Sequence, residues 1–299
     1  MGALQRLADF GAAGYNPGNI RDGEQGLGIY DRYASIYDAS GQISFSLQML
    51  PYLDSVLERH SVTRGALLEL ACGTGTVALA MARKGWRVYG VDGSAEMLAQ
   101  ARRKQATSRS EDSQELDILW SQQDMRHLCL SEPVQLATCL YDSLNYMLAS
   151  DDLQAVFRGV YRALEPGGLF VFDMNTPWAL ATFWDDSTYV TDTPGLTVIL
   201  ESRFDAYRQR TTVKVTCFER QGELYRKAIE EHIEQGYPRE HIATLLTDVG
   251  FQIEGMYHCF TFEPPTASCP RILWAARKPG RARQAVAGQA AEHQAVSPE

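Results

Sequence analysis

Short apolar runs alternate with helix-period segments over the first 175 residues, and the alternation then gives way to β-type patterning. Residues 66–71, 87–92, 117–121 and 135–140 read as strands, each too short for a helix and bounded by polar or glycine positions. Between and before them, residues 47–59, 76–84 and 95–106 read as helices, and residues 107–115 as a polar loop. Leu153, Val156, Phe157, Val160, Tyr161 and Leu164 recur at helical spacing after Asp151 and Asp152, which predicts a helix with one buried face. Pro166, Gly167 and Gly168 are expected to stop it. Residues 169–173 then form a continuous apolar strand of the parallel kind, buried on both faces. This order of elements predicts a doubly wound, mostly parallel α/β sheet with right-handed crossovers.

After residue 175 the pattern changes. Residues 196–207, 211–220 and 223–234 are rich in Thr, Val, Ile and aromatics, with short polar connections near Arg208 and at Gln221 and Gly222, so an antiparallel meander is predicted. Inserted after the fifth strand, at about 186–236, it falls at the C-terminal edge of the parallel strands, where open α/β sheets bind ligands. That is the position of a substrate lid. A helix over 239–248 and strands within 251–262 and 271–276 close a domain spanning 29–278. Residues 1–28 are expected to be a flexible segment and residues 279–299 a disordered tail.

Charge narrows the partners. Acidic side chains number 37 against 28 basic ones, a net charge of −9, which argues against nucleic acid because polyanion binders carry a basic excess. No run approaches the roughly 18 apolar residues of a membrane span, and the first ten residues lack a signal peptide's apolar core, so a cytoplasmic location is expected. The six cysteines form no Cys-x-x-Cys pair and do not cluster with the six histidines, so they read as reduced, mostly core thiols and no metal site is expected. Composition leaves open whether the chain forms a homodimer.

The richest chemistry lies in residues 67–75. An apolar strand carrying one acid, Glu69, passes through Ala71 into a loop with Gly73 and Gly75, ahead of a predicted helix. Glycines let the backbone approach a ligand closely, and the helix N-terminus offers unpaired N–H groups. Gly73, Gly75 and Ala78 fit the loose dinucleotide fingerprint, which keeps a nicotinamide-dependent oxidoreductase among the alternatives. Glu69 is an odd neighbour for a pyrophosphate and suits a ligand with a cationic end, such as S-adenosylmethionine with its sulfonium and ammonium. Asp92, about twenty residues on, stands at the spacing of a carboxylate that holds ribose hydroxyls.

With these features the chain resembles the class I (Rossmann-like) S-adenosylmethionine-dependent methyltransferases. Residues 69–75 look like their first motif, residues 91–98 like the second and residues 123–125 like the third, adenine-contacting one. Residues 139–146 and 172–177 resemble those of a subgroup similar to sugar N-methyltransferases. The resemblance implies a seven-stranded sheet, with a hairpin of one antiparallel member at its end. It implies a cofactor site of Tyr30, Tyr37, Glu69, Ala71, Gly73, Gly75, Asp92, Gly93, Ser94, Met97, Asp124, Met125 and Leu140. Tyr30, Tyr33 and Tyr37 lie at helical spacing, and in the family this segment folds over the cofactor. An acceptor would meet Tyr33, Tyr141, Asp142, Asn145 and His232.

Methyl transfer is an in-line displacement at an already activated carbon, so alignment and exclusion of water are the main requirements. A base is needed for a hydroxyl acceptor, whereas an amine needs only to arrive neutral. His232, beside Glu231 in the meander, is the candidate base, with Tyr141 and Tyr33 as further catalytic candidates. A small-molecule acceptor methylated on N or O is the favoured reading. RNA, tRNA or protein as acceptor, and a catalytically silent cofactor-binding module, are the alternatives.

Overall fold

The computed structural model describes residue 30, residues 32–111 and residues 115–280. The segment 1–28, and the tail 279–299 beyond its first two residues, lie outside the described residues.

Helix α1 (Ile43–Arg59) starts four residues earlier than the periodicity predicts, because Phe45 and Met49 extend a buried stripe continued by Tyr52, Leu53 and Val56. The alternation then runs β1 (Ala66–Leu70), α2 (Thr76–Arg83), β2 (Arg87–Asp92), α3 (Ala95–Glu111), β3 (Ile118–Gln122), β4 (Val134–Cys139), α4 (Ser150–Ala163) and β5 (Leu164–Asn175). Helix α3 extends five residues past its predicted end, through part of the expected loop. In α4, Asp151 and Asp152 occupy the first turn, where the helix dipole favours acids, and Leu153, Val156, Phe157 and Val160 are fully buried. Burial of each such side chain contributes roughly 1.5–3 kcal/mol.

Two expectations need correction here. Pro166 to Gly168 do not terminate α4, which ends at Ala163; they lie inside β5. Gly167 N donates to Lys278 O and Lys278 N to Gly168 O, so ladder pairing with the last strand continues across the glycines. The segment after β5 also holds two elements that the pattern did not show, α5 (Pro177–Phe183) and β6 (Ser187–Thr193). Pro177 begins α5 rather than breaking it, since a first-turn residue needs no N–H partner, and Thr176 Oγ1 caps the helix by accepting from Ala179 N at 3.1 Å.

Strand β6 joins β7 (Leu196–Asp205), β8 (Arg210–Gln221) and β9 (Leu224–Gln235) in a separate antiparallel sheet, ordered β6-β7-β8-β9. Helix α6 (Arg239–Val249), β10 (Gln252–His258) and β11 (Arg271–Arg277) complete the main sheet. Its order is β10-β11-β5-β4-β1-β2-β3, and only β11 runs antiparallel to its neighbours, β5 and β10. The doubly wound seven-stranded sheet and its terminal hairpin therefore agree with expectation. Apolar cores cover both faces, one including α1 and α2, the other α4 and α6. Strand order reverses between β1 and β4, so the loops after these strands flank the switch point at which such sheets bind ligands. Among the described residues no helix is long and apolar enough to cross a membrane.

Candidate active site

The loop after β1 is built around Asp92. Its Oδ2 accepts from Gly73 N at 2.8 Å and its Oδ1 from Ser94 N at 2.8 Å, so one carboxylate ties the ends of β1 and β2 together. Gly73 and Gly75 have φ of +53° and +74°, and Ala71 enters the loop at +54°. A Cβ on Gly73 would meet nothing within 4 Å, which leaves its ligand-facing side open, whereas one on Gly75 would lie 2.5 Å from the Trp120 ring. The two glycines thus serve different ends: Gly73 clears an approach, and Gly75 lets α2 pack on the β3 aromatic. Ser94 Oγ caps α3 by accepting from Met97 N at 3.2 Å.

Above the loop lies a cavity of about 50 Å³ whose walls include Glu69, Ala71, Gly73, Asp92, Met97, Leu140, Tyr30, Tyr37 and Tyr141. That volume is far below the several hundred Å³ typical of sites for nucleoside-sized ligands. The roof must move to admit one. Residue 30 and residues 32–42, whose tyrosines lie at helical spacing, instead form successive turns, with Tyr30 at φ +75°. Tyr30, Tyr33 and Tyr37 contact one another with ring centroids 5.7–6.3 Å apart. Burial raises the pKa of all three phenols, so they stay protonated near neutrality. Glu230 of β9 holds this roof down: its carboxylate accepts from Tyr30 N (2.9 Å), Arg32 N (2.9 Å) and Tyr33 N (3.1 Å). These bonds and His232 keep its pKa low despite burial.

Beside the cleft, the ends of β4 and β5 carry a buried polar cluster. Tyr141 and Asp142 both adopt positive φ, +63° and +51°, conformations that cost of order 1–3 kcal/mol each. Asp173 of β5 holds them there, accepting from Tyr141 N at 2.7 Å and Asp142 N at 3.1 Å. Arg271 pairs with Asp173 Oδ2 at 2.5 Å and with Asp142 Oδ1 at 3.4 Å. Asn175 Nδ2 bridges Asp142 Oδ2 at 2.6 Å and Glu234 Oε2 at 2.9 Å. Two carboxylates, Asp142 and Asp173, therefore share one buried guanidinium, Glu234 joins them through Asn175, and Glu234 Oε1 has no hydrogen-bond partner. Burial, reinforced by their mutual repulsion, raises the pKa of Asp142 and Glu234.

The remaining sequence candidates distribute unevenly. His232 is 1% exposed and does not line the cavity; it lies behind Tyr30, with ring centroids 5.2 Å apart. Its Nδ1 is 3.5 Å from the Tyr146 hydroxyl and its Nε2 3.6 Å from Glu230, so its acidic neighbour is Glu230 rather than Glu231. Tyr33 turns its hydroxyl to Ser40 Oγ at 2.6 Å, and Tyr141 turns its own to Gln42 at 2.7 Å. Asn145 is engaged by the scaffold: Nδ2 donates to Asn175 O and Gln235 O, and Oδ1 accepts from Asn175 N, so it ties β5 to β9. Asp124 is clasped by the Arg126 guanidinium, while Met125 packs into the core near Leu128 and Phe157; neither lines the cavity. Gly93 follows Asp92 in the turn and does not line it either. Thr74, Asp38 and Lys104 are not among the sequence's site candidates, although Lys104 Nζ binds Asp38 Oδ2 at 2.8 Å and fastens the roof to the loop. A larger cavity of about 370 Å³ beyond β5 is walled mainly by Met174, Tyr237, Ile242 and Trp274 and contains none of the glycine loop.

The chain is similar to known methyltransferases. Residues 67–168 match the family model of a methyltransferase domain. YqeM of Bacillus subtilis (strain 168), whose name goes no further than provisional assignment as a methyltransferase, is 30% identical over 251 residues, 84% of this chain and 97% of its own. The crystal structure of an S-adenosylmethionine-dependent methyltransferase from Clostridium acetobutylicum ATCC 824 matches with a TM-score of 0.74 and 26% identity, covering 84% of this chain and 99% of that one. The dTDP-3-amino-3,6-dideoxy-alpha-D-glucopyranose N,N-dimethyltransferase of Streptomyces fradiae is 29% identical over 126 residues, 42% of this chain and 44% of its own.

Proposed function

Since the chain belongs to the class I S-adenosylmethionine-dependent methyltransferases, we propose that it methylates a nitrogen of a small-molecule acceptor by in-line displacement. The observation that carries the choice of nitrogen is the cluster of Asp142, Asp173 and Glu234 around the single Arg271. Uncompensated buried carboxylates favour a cation in front of them. A nitrogen acceptor becomes more positive as the methyl group arrives, so the same groups favour the transferred state over the starting one. The amino sugar named for the Streptomyces fradiae relative is an acceptor of this chemistry.

The cleft fits the donor on two counts: a Cβ would fill the space Gly73 leaves, and Glu69 Oε2 is buried there without a partner. Bound there, S-adenosylmethionine supplies a methyl carbon activated by a positively charged sulfur. Asp92 would accept from the ribose diol, Glu69 would face the ammonium end, and Met97 and Leu140 would pack on the nucleoside. Tyr30, Tyr37 and Tyr141 exclude water, which strengthens every charge interaction beneath them.

The test is incubation of the protein with isotope-labelled S-adenosylmethionine and, separately, a small-metabolite fraction, RNA and protein. Label in a metabolite as an N-methyl group is the expected result. Label confined to RNA or protein would overturn the small-molecule reading, and a labelled ether or ester would overturn the choice of nitrogen.

A further inference from the structure

Glu69 sits within β1, 4% exposed, and lines the cleft beside Ala71 and Gly73. Its register partners are Gly90 on β2 and Thr138 on β4, so neither flanking strand brings it a cation. The titratable groups facing it from β2, the loop and β4 are Asp92, Cys72 and Cys139, none of them positive. Lys104 of α3 is the cation that acts on it. That ammonium is already engaged by Asp38 Oδ2 at 2.8 Å, Thr76 Oγ1 at 2.9 Å and Thr74 Oγ1 at 3.1 Å. Burial pushes the Glu69 carboxyl up to about 8, with Asp92 adding to the rise while the Ala78 N–H and Lys104 oppose it.

We infer that a ligand carrying the donor's amino-acid ammonium displaces one proton from Glu69 to solvent on binding. The inference rests on the reading of this cleft as the S-adenosylmethionine site. In the step, the carboxyl O–H bond breaks, the proton passes to water or buffer, and the carboxylate left behind pairs with the ligand ammonium. A cation is thereby exchanged for a cation, so the buried acid never stands charged and alone. S-adenosylhomocysteine carries the same ammonium and displaces the same proton. 5′-Methylthioadenosine has the nucleoside without the amino-acid end and leaves Glu69 protonated. Asp92, whose pKa burial also raises, is the other possible proton source, and this third ligand isolates it because it keeps the ribose diol.

Titration calorimetry at pH 7.0 in buffers of different ionisation enthalpy counts the protons. A carboxyl near 8 gives up roughly 0.9 proton while the ligand's amino group takes up roughly 0.1–0.2, so a net release of roughly 0.7–0.8 proton is expected for S-adenosylmethionine and S-adenosylhomocysteine, and none for 5′-methylthioadenosine. The ligand's own α-ammonium, with a pKa of about 7.7–8.0, is still largely charged at that pH. Affinity for S-adenosylmethionine is expected to rise roughly ninefold from pH 6 to pH 7. In Glu69→Gln the release vanishes and the pH dependence flattens, while all three ligands still bind. Binding without proton release, release equal with 5′-methylthioadenosine, or release surviving in Glu69→Gln would overturn the inference. Should the variant fail to fold, the three-ligand comparison on the natural protein decides alone. Failure of S-adenosylmethionine to bind the natural protein would instead overturn the reading of the cleft.

Discussion

Replacing Asp92 with Asn tests the cofactor side of the cleft with little change in shape. Each carboxylate oxygen offers about two acceptor positions, and the loop uses one on each: Oδ2 takes Gly73 N and Oδ1 takes Ser94 N, both at 2.8 Å. The Gly93 N–H also acts on the carboxylate, so about one acceptor position is left for a ribose hydroxyl. In Asp92→Asn an NH2 group replaces one oxygen, so one ribose hydroxyl loses a charged acceptor, a loss of about 1.5–3 kcal/mol. Affinity for S-adenosylhomocysteine should therefore fall roughly tenfold to a hundredfold. The same NH2 group confronts Gly73 N or Ser94 N, donor against donor, which costs the folded state a further 1–3 kcal/mol or so. Calorimetry and urea denaturation separate the two losses. A ligand cycle sharpens the attribution: deleting the 2′- or 3′-hydroxyl of 5′-methylthioadenosine should weaken binding to the natural protein, and one of these deletions should cost Asp92→Asn less than about twofold. If both deletions cost the variant as much as the natural protein, Asp92 does not hold the ribose, and its role is confined to joining β1 and β2.

Glu230→Ala removes the acceptor for three backbone N–H groups of the roof, yet leaves the β8–β9 pairing intact. Trypsin cleavage after Arg32 and the rates of S-adenosylhomocysteine binding and release should all rise several-fold in the variant; unchanged rates would mean that the roof is held elsewhere. Glu69 also sets a pH dependence of stability in the ligand-free protein. Its folded carboxyl is near 8 against 4.5 for the ordinary group, so the folded state keeps an extra proton between those values. The contribution is fully present below about pH 4.5 and is lost as pH rises to 8, an upper figure of roughly 4–5 kcal/mol. Urea midpoints of Glu69→Gln relative to the natural protein should therefore be distinctly more favourable at pH 8 than at pH 5.5, and an equal difference at both values would refute the burial argument.

The parallel half of the fold was legible because its strands are buried on both faces and its helices on one, so hydrophobicity and position coincide. The inserted antiparallel sheet breaks that coincidence. In β9 an alternating reading puts Ile229 and Ile233 on the buried face, with Glu230, His232 and Glu234 toward water. The structure does the reverse: Ile229 is 43% exposed, while His232 and Glu234 are each 1% exposed and pair across the ladder with Val213 and Thr211. A one-residue change of register exchanges the two faces of a strand, so no periodicity in β9 alone could decide between them. What decides is a partner distant in sequence. Glu230 is satisfied by the backbone N–H groups of Tyr30, Arg32 and Tyr33, and Glu234 is bridged through Asn175 to Asp142, just after β4. These are contacts across some 60 to 200 positions. The inverted face also explains why His232 stood out beside the wrong acid, since Glu231 is on the outer face and exposed. Natural sequences keep local preference and tertiary structure in agreement except where a site requires otherwise. A strand that turns two acids and a histidine inward, against its own hydrophobic pattern, therefore carries stronger grounds for an acceptor site beneath the inserted sheet than any single residue on it.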